Sequence, residues 1–171
     1  MKNKLLKPRP TLLWAILLFP FALGAQNFFN LPGPMGTIRS LLKGPNGELY
    51  LGSNSKGVFH SMDNGQNWTG LGGNTIMTGR INDLVFDTSG QLVAATEQGG
   101  VKKWNGTGWN SINIGLFSTC GILVPIRDLT VAPGGTLFAG AHGYGTCFPV
   151  GDVYRFEGSG WASVAAGLAN T

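Results

Sequence analysis

IRSLLKGPNGELYLGSNSKGVFHSMDNGQNW, residues 38–68, is one complete architectural unit written in 31 residues. A short apolar run, IRSLL, comes first. A turn with Asn46-Gly47 follows, a dipeptide that supplies the positive φ a tight hairpin needs. A second run, LYLGS, a glycine-containing loop and a third run, GVFHS, come next. The unit closes on a compact turn, SMDNGQNW, that ends at Trp68. Each run is short, bounded by turn residues and enriched in apolar positions, which predicts strands and not helices.

The unit recurs. INDLVFDTSGQLVAATEQGGVKKWNGTGW spans 81–109 and IRDLTVAPGGTLFAGAHGYGTCFPVGDVYRFEGSGW spans 126–161, with starts 43 and 45 residues apart. Gly47, Gly90 and Gly135 occupy matching places, and so do Trp68, Trp109 and Trp161, after which a fourth strand is expected (WTGLG, WNSIN, WASVA). Four short strands in a repeat of this length is the period of a β-propeller blade. The predicted fold is therefore all-β: a propeller of four-stranded antiparallel blades, with about three blades present, over repeats of about 38–80, 81–125 and 126–171. A sandwich of unrelated hairpins is the alternative, and the matched glycines and tryptophans argue against it. A blade cannot bury both of its faces alone, so neighbouring blades share the core.

The segment before the repeats has a different character. Lys2, Lys4, Lys7 and Arg9 precede the apolar run TLLWAILLFPFALGA (11–25), and polar Gln26 and Asn27 follow it. A basic start, a short apolar stretch and small residues at its end predict a signal peptide over 1–25 with cleavage after Ala25. The run is shorter than the ~20 residues a spanning helix needs, so a membrane anchor is the lesser reading and no membrane insertion is expected after cleavage. The mature region, 26–171, then holds eight basic and eight acidic side chains, because the +4 of the whole chain resides in the leader. That balance offers no electrostatic footprint for nucleic acid. Export places the protein in the periplasm, at the cell surface or outside the cell. There a disulfide between Cys120 and Cys147 is expected, the alternative being two buried thiols. Cys120 lies in the linker 111–125 and Cys147 in the loop 141–152, so a bridge would staple two irregular segments on one side of a blade.

The turn SMDNGQNW resembles the Asp-box, also called the BNR or sialidase-type repeat, whose pattern Ser/Thr-x-Asp-x-Gly-x-x-Trp is filled by Ser61, Asp63, Gly65 and Trp68. The wider phrase 47–68 is similar to propellers of secreted bacterial proteins. The resemblance implies that the box is the hairpin between third and fourth strands, at the propeller's outer edge. WNGTGW and FEGSGW are shorter, degenerate copies that keep Gly106 and Trp109, and Gly158 and Trp161, but lack the aspartate; Asn105 and Glu157 stand nearby as weaker substitutes. These residue types have structural work to do in a turn: short oxygens accept backbone N–H groups, glycine admits the left-handed conformation, and tryptophan buries a large surface. No catalytic residue, metal ligand or cofactor is assigned.

The resemblance extends to sialidases and other glycosidases, which makes a glycosidase fragment the alternative function. Arg39 and Arg127 sit at matched positions on the first strands, where a propeller channel would be lined. Against this, Tyr50, Tyr144 and Tyr154 have no recognisable nucleophile context, and His60 and His142 stand alone without metal-ligand spacing. Asp83, Asp87 and Asp128 read as turn and surface residues. The sequence-level expectation is a secreted or cell-surface, non-enzymatic module that recognises or scaffolds a protein or glycan through the loops 111–125 and 141–152. Three blades fall short of the four to eight that close a ring. Missing C-terminal blades, or self-association of two arcs, are the expected remedies, with 27–37 as a candidate leftover strand and GLANT, 167–171, where another blade would begin.

Overall fold

In a computed structural model, residues 36–72, 79–143, 145–147 and 151–165 are described. The leader expected over 1–25, most of 27–37 and the terminal GLANT lie outside the described residues. Among those described, twelve strands form three four-stranded antiparallel sheets, each a meander in sequence order. The first holds β1 (Ile38–Lys43), β2 (Leu49–Ser53), β3 (Val58–Ser61) and β4 (Thr69–Leu71). The second holds β5 (Ile81–Phe86), β6 (Leu92–Thr96), β7 (Gly100–Trp104) and β8 (Trp109–Ser111). The third holds β9 (Ile126–Val131), β10 (Leu137–Ala141), β11 (Asp152–Phe156) and β12 (Trp161–Ser163). These are the three blades read from the repeats.

The local chemistry repeats with the strands. The turn between first and second strands is closed by the same backbone bond each time: Gly47 to the Gly44 carbonyl, Gly90 to Asp87 and Gly135 to Ala132. Every first strand also carries a bulge at its second residue. The ladder passes from Ile38 to Ser40, from Ile81 to Asp83 and from Ile126 to Asp128, leaving Arg39, Asn82 and Arg127 unpaired. A bulge twists its strand and re-aims the extra side chain.

The sheets stack through their first strands, with β1 beside β5 and β5 beside β9. Two apolar layers fill the gaps. Between blades one and two, Val58, Ile81, Leu84, Leu92, Ala94 and Trp109 are buried, with Leu42, Tyr50 and Leu71 packed against them. Between blades two and three the layer includes Val93, Val101, Leu116, Ile126, Leu129, Leu137 and Trp161. Each fully buried aliphatic side chain contributes ~1.5–3 kcal/mol from leaving water. β6 lies between two neighbouring blades and is buried at all five residues, which explains why LVAAT is apolar or small throughout and lacks the usual polar alternation.

Candidate functional site

The 61–68 hairpin is a closed set of hydrogen bonds. The buried Ser61 hydroxyl donates to Asp63 Oδ1 at 2.8 Å and accepts the Gly65 N–H at 2.8 Å. Asp63 Oδ1 also accepts the Asn67 N–H, and Oδ2 accepts the Asn67 side-chain amide, both at 2.8 Å. The Asn67 backbone and side-chain donors, then the Ser61 hydroxyl, hold the Asp63 carboxyl below its ordinary range. Asn64 and Gly65 both adopt positive φ, 57° and 86°, the left-handed pair that suits an Asn-Gly dipeptide. The carboxylate's oxygens are engaged inside the turn, so its chemistry is turn closure.

In the second blade Asn105 does the aspartate's work. Its Oδ1 accepts the Thr107 N–H at 3.0 Å and the Gly108 N–H at 2.8 Å. In the third blade Glu157 does not substitute as expected; its carboxylate pairs with Arg155 at 2.6 Å, outside the turn. The turns 104–109 and 156–161 hold four residues between paired ends, Trp104–Trp109 and Phe156–Trp161. The first hairpin holds eight, Ser61–Trp68, between its paired ends His60 and Thr69, enough to wrap around a carboxylate.

The tryptophans work between blades. Trp109 Nε1 donates to the Leu71 carbonyl of blade one at 3.1 Å, and Trp161 Nε1 donates to the Ile112 carbonyl at the end of blade two at 2.6 Å. Each indole thereby clips the outer strand of the preceding blade. Gly72 gives Trp109 room, since a Cβ there would overlap the indole ring. Trp68 is only half-buried, and its indole N–H has no hydrogen bond among the described residues.

At the inner strands, the bulged residues and their neighbours form a polar row. Arg127 pairs with Glu97 at 2.7 Å. Asn82 Nδ2 donates to the same Glu97 Oε2 at 2.9 Å and to the Ile126 carbonyl at 2.7 Å, leaving Asn82 Oδ1 buried without a donor. Arg39 is exposed and has no ion-pair partner among the described residues. Asp83 is not the surface residue its sequence context suggested. It receives the Ser40 hydroxyl from blade one at 3.2 Å and the Leu129 N–H from blade three at 2.9 Å, and so ties three blades together. Burial, then the charge of Asp83, raises the Asp128 carboxyl. Asp87 does belong to a turn: burial pushes it up, but hydrogen bonds from Lys103 and Ser89 outweigh this and lower it. The inter-blade role of Asp83 has a sequence signal, the recurrence of Ser40, Asp83 and Asp128 at the third place of each first strand.

The two irregular segments meet at one end of the third blade. Ala141 pairs with Ile126, so the loop after β10 and the linker before β9 lie at the same strand ends. Cys120 and Cys147 are bonded there, with Cα atoms 5.6 Å apart. The linker is itself a small hairpin: Val124 N–H donates to the Leu116 carbonyl, Ser118 N–H to Ile122, and Phe117 bridges Leu123. Leu116 and Val124 root it in the core, while Phe117 and Ile122 are more than half exposed near its tip. Two grooves open between blades at the opposite strand ends. One, about 450 Å³, is walled by Tyr50, His60, Phe86, Gln91, Trp104 and Asn105. Its repeat mate, about 380 Å³, has Phe156 where the first has Trp104, and includes Asp87 and Lys103. Among the described residues no three His, Cys, Asp or Glu side chains gather into a metal-holding group. The phenols are held protonated: burial and then Asp152 push Tyr154 up to about 12, and burial and then Glu48 raise Tyr50. Tyr144 lies outside the described residues.

No protein-family model matches the chain, and no curated protein sequence does. Solved structures do match. The chain is similar to the computationally designed Ika4 protein, at TM-score 0.52 and 16% identity over 78% of this chain and 74% of that one. It is similar to the GH74 enzyme of Niastella koreensis, at TM-score 0.57 and 16% identity over 73% of this chain. It is also similar to the extracellular domain of a protein of B. thetaiotaomicron described as a hybrid two-component system, at TM-score 0.55 and 13% identity over 76% of this chain. The chain spans only 21% of the GH74 enzyme and 16% of the sensor domain. These are β-propellers, and the shared feature is the fold: three four-stranded sheets of this chain match successive blades.

Proposed function

We propose that this chain is a secreted or cell-surface recognition module without enzymatic activity, built from Asp-box blades of the BNR type, whose ligand is a protein. The observation that carries this reading is the stapled hairpin 116–124. A disulfide and two core residues fix it rigidly, yet Phe117 and Ile122 face solvent. Exposed apolar side chains on a pre-ordered loop are the usual anchors of a protein contact, because little ordering entropy is lost on binding. Burial raises the phenols of Tyr50 and Tyr154, which argues against either serving as a tyrosine nucleophile. Parallel screening of the purified protein on peptide and glycan arrays tests it. Peptide binders that weaken about tenfold or more in Phe117→Asp are expected. A glycan-only profile would replace the ligand class. Hydrolysis of xyloglucan or a sialoside that depends on Arg39 or Arg127 would overturn the non-enzymatic assignment.

A second reading has its own observation. The groove walled by Trp104, Phe86, Tyr50, Gln91 and Asn105 combines aromatic faces with amides, the surface chemistry that suits a sugar ring. Trp104→Ala would then abolish glycan binding and leave peptide binding intact.

A further inference from the structure

The three blades present the same two faces, and they are not equally covered. Leu84 and Leu129 are 2% and 4% exposed, while their repeat mate Leu41 is 67% exposed. Ile81 and Ile126 are fully buried, while Ile38 is 44% exposed. In blades two and three these residues are sealed by the preceding blade; in blade one nothing among the described residues seals them. Trp68 belongs to the same face. It occupies the place from which Trp109 and Trp161 clip a preceding blade, and its N–H has no partner among the described residues.

On blade three the opposite face is less covered among the described residues: Phe138 and Val153 are half-buried, where their blade-two mates Val93 and Val101 are fully buried. Asp83 shows what that face does when it is covered: its carboxylate accepts the N–H of Leu129, the fourth residue of the next first strand. The equivalent pair across the open faces is Asp128 with the N–H of Leu41. Likewise Asn82 donates to the carbonyl of Ile126, the next blade's first residue, and the equivalent is Arg127 with the carbonyl of Ile38. One contact is not reproduced: His142 stands where Glu97 pairs with the next bulged arginine, so that ion pair is lost.

We propose that these two open faces are complementary halves of one blade-to-blade interface, and that a second copy of this chain occupies them. Blade three of each copy docks on blade one of the other. Two such contacts close a ring of six blades, within the four to eight that propellers adopt, and would cover the sheet face around Ile38 and Leu41 that no described residue covers. The contact is heterologous, one face against a different one, and closes because the ring returns on itself. The inference extends the existing blade interfaces and does not depend on which ligand the module recognises.

Sedimentation equilibrium of the purified chain in the micromolar range tests the idea. A dimer is expected. Leu41→Asp on one face and Asp128→Arg on the other should each weaken dimerisation about tenfold or more, with circular dichroism showing that both variants remain folded. Both side chains are exposed, so neither change places a charge in the core, though Asp128 also lies beside Asp83 of blade two and the fold of its variant is therefore checked. Mixing the two variants discriminates further. Each retains one intact face, so an equimolar mixture should associate more tightly, through the one intact contact, than either variant does alone. Three results would overturn the proposal: a monomer at every concentration, a dimer indifferent to Asp128→Arg, or two variants that fail to pair. If Leu41→Asp does not fold, Trp68→Ala reads the same face.

Discussion

At the scale of single residues, the 61–68 turn and the blade tryptophans look alike in sequence and do different work. Asp63→Ala removes an acceptor that closes an exposed turn and touches no other blade, so only a small drop in the chemical-denaturation midpoint is expected. Trp109→Ala opens the interface between two blades and orphans the Leu71 carbonyl, so about 3–5 kcal/mol is expected from the same measurement. Trp109→Phe, which keeps most of the ring, isolates the unpaired carbonyl at about 1–2 kcal/mol. The Asp63 carboxyl is depressed in the fold, so its contribution is complete above the ordinary carboxylate range and is lost as pH falls through its lowered value. NMR of the Gly65 and Asn67 amides under acid should show the turn loosening there, and Asp63→Asn should abolish that transition. The aspartate, glycine and tryptophan of this turn were legible because they fill a pattern. The outward reach of the indoles was not, because a hydrogen bond to a neighbouring blade has no signature within one repeat.

At the scale of elements, every strand was legible from turn residues and short apolar runs, and the matched glycines fixed where the first hairpin of each blade turns. The bulges were not legible. They arise where a strand must bend toward the inner row, and only the pairing of Ile38, Ile81 and Ile126 with their partners reveals the skipped residue. Nor was the 116–124 hairpin, since its nine residues carry apolar side chains both into the core and into solvent. That hairpin depends on its covalent tie. Cys120 and Cys147 are 27 residues apart, and closing a loop of that length restricts the unfolded chain by about 3.5 kcal/mol in the chain-entropy relation. Cys147→Ser should lower the denaturation midpoint accordingly and reduce binding at Phe117 before global unfolding begins. The two effects separate in a titration that follows ligand binding and secondary structure together.

At the scale of the whole molecule, blade order and stacking followed from the repeats, because each blade's strands are neighbours in sequence. The candidate site was only half visible: the loops could be named, but their shared end of the sheet and the two grooves at the other end depend on packing. The indole clips also give the stack a polarity. Each blade's outer strand is latched by a tryptophan from the blade that follows it in sequence, so β4 is latched by Trp109 and the end of blade two by Trp161, while among the described residues nothing latches β12. Opening should therefore run from the last blade backward. In native-state hydrogen exchange the amides of β12 should report the lowest opening free energy and those of β6 the highest. A ligand or second copy that caps the last blade would then slow exchange far beyond the surface it covers, as a ratchet holds every tooth behind the one it stops.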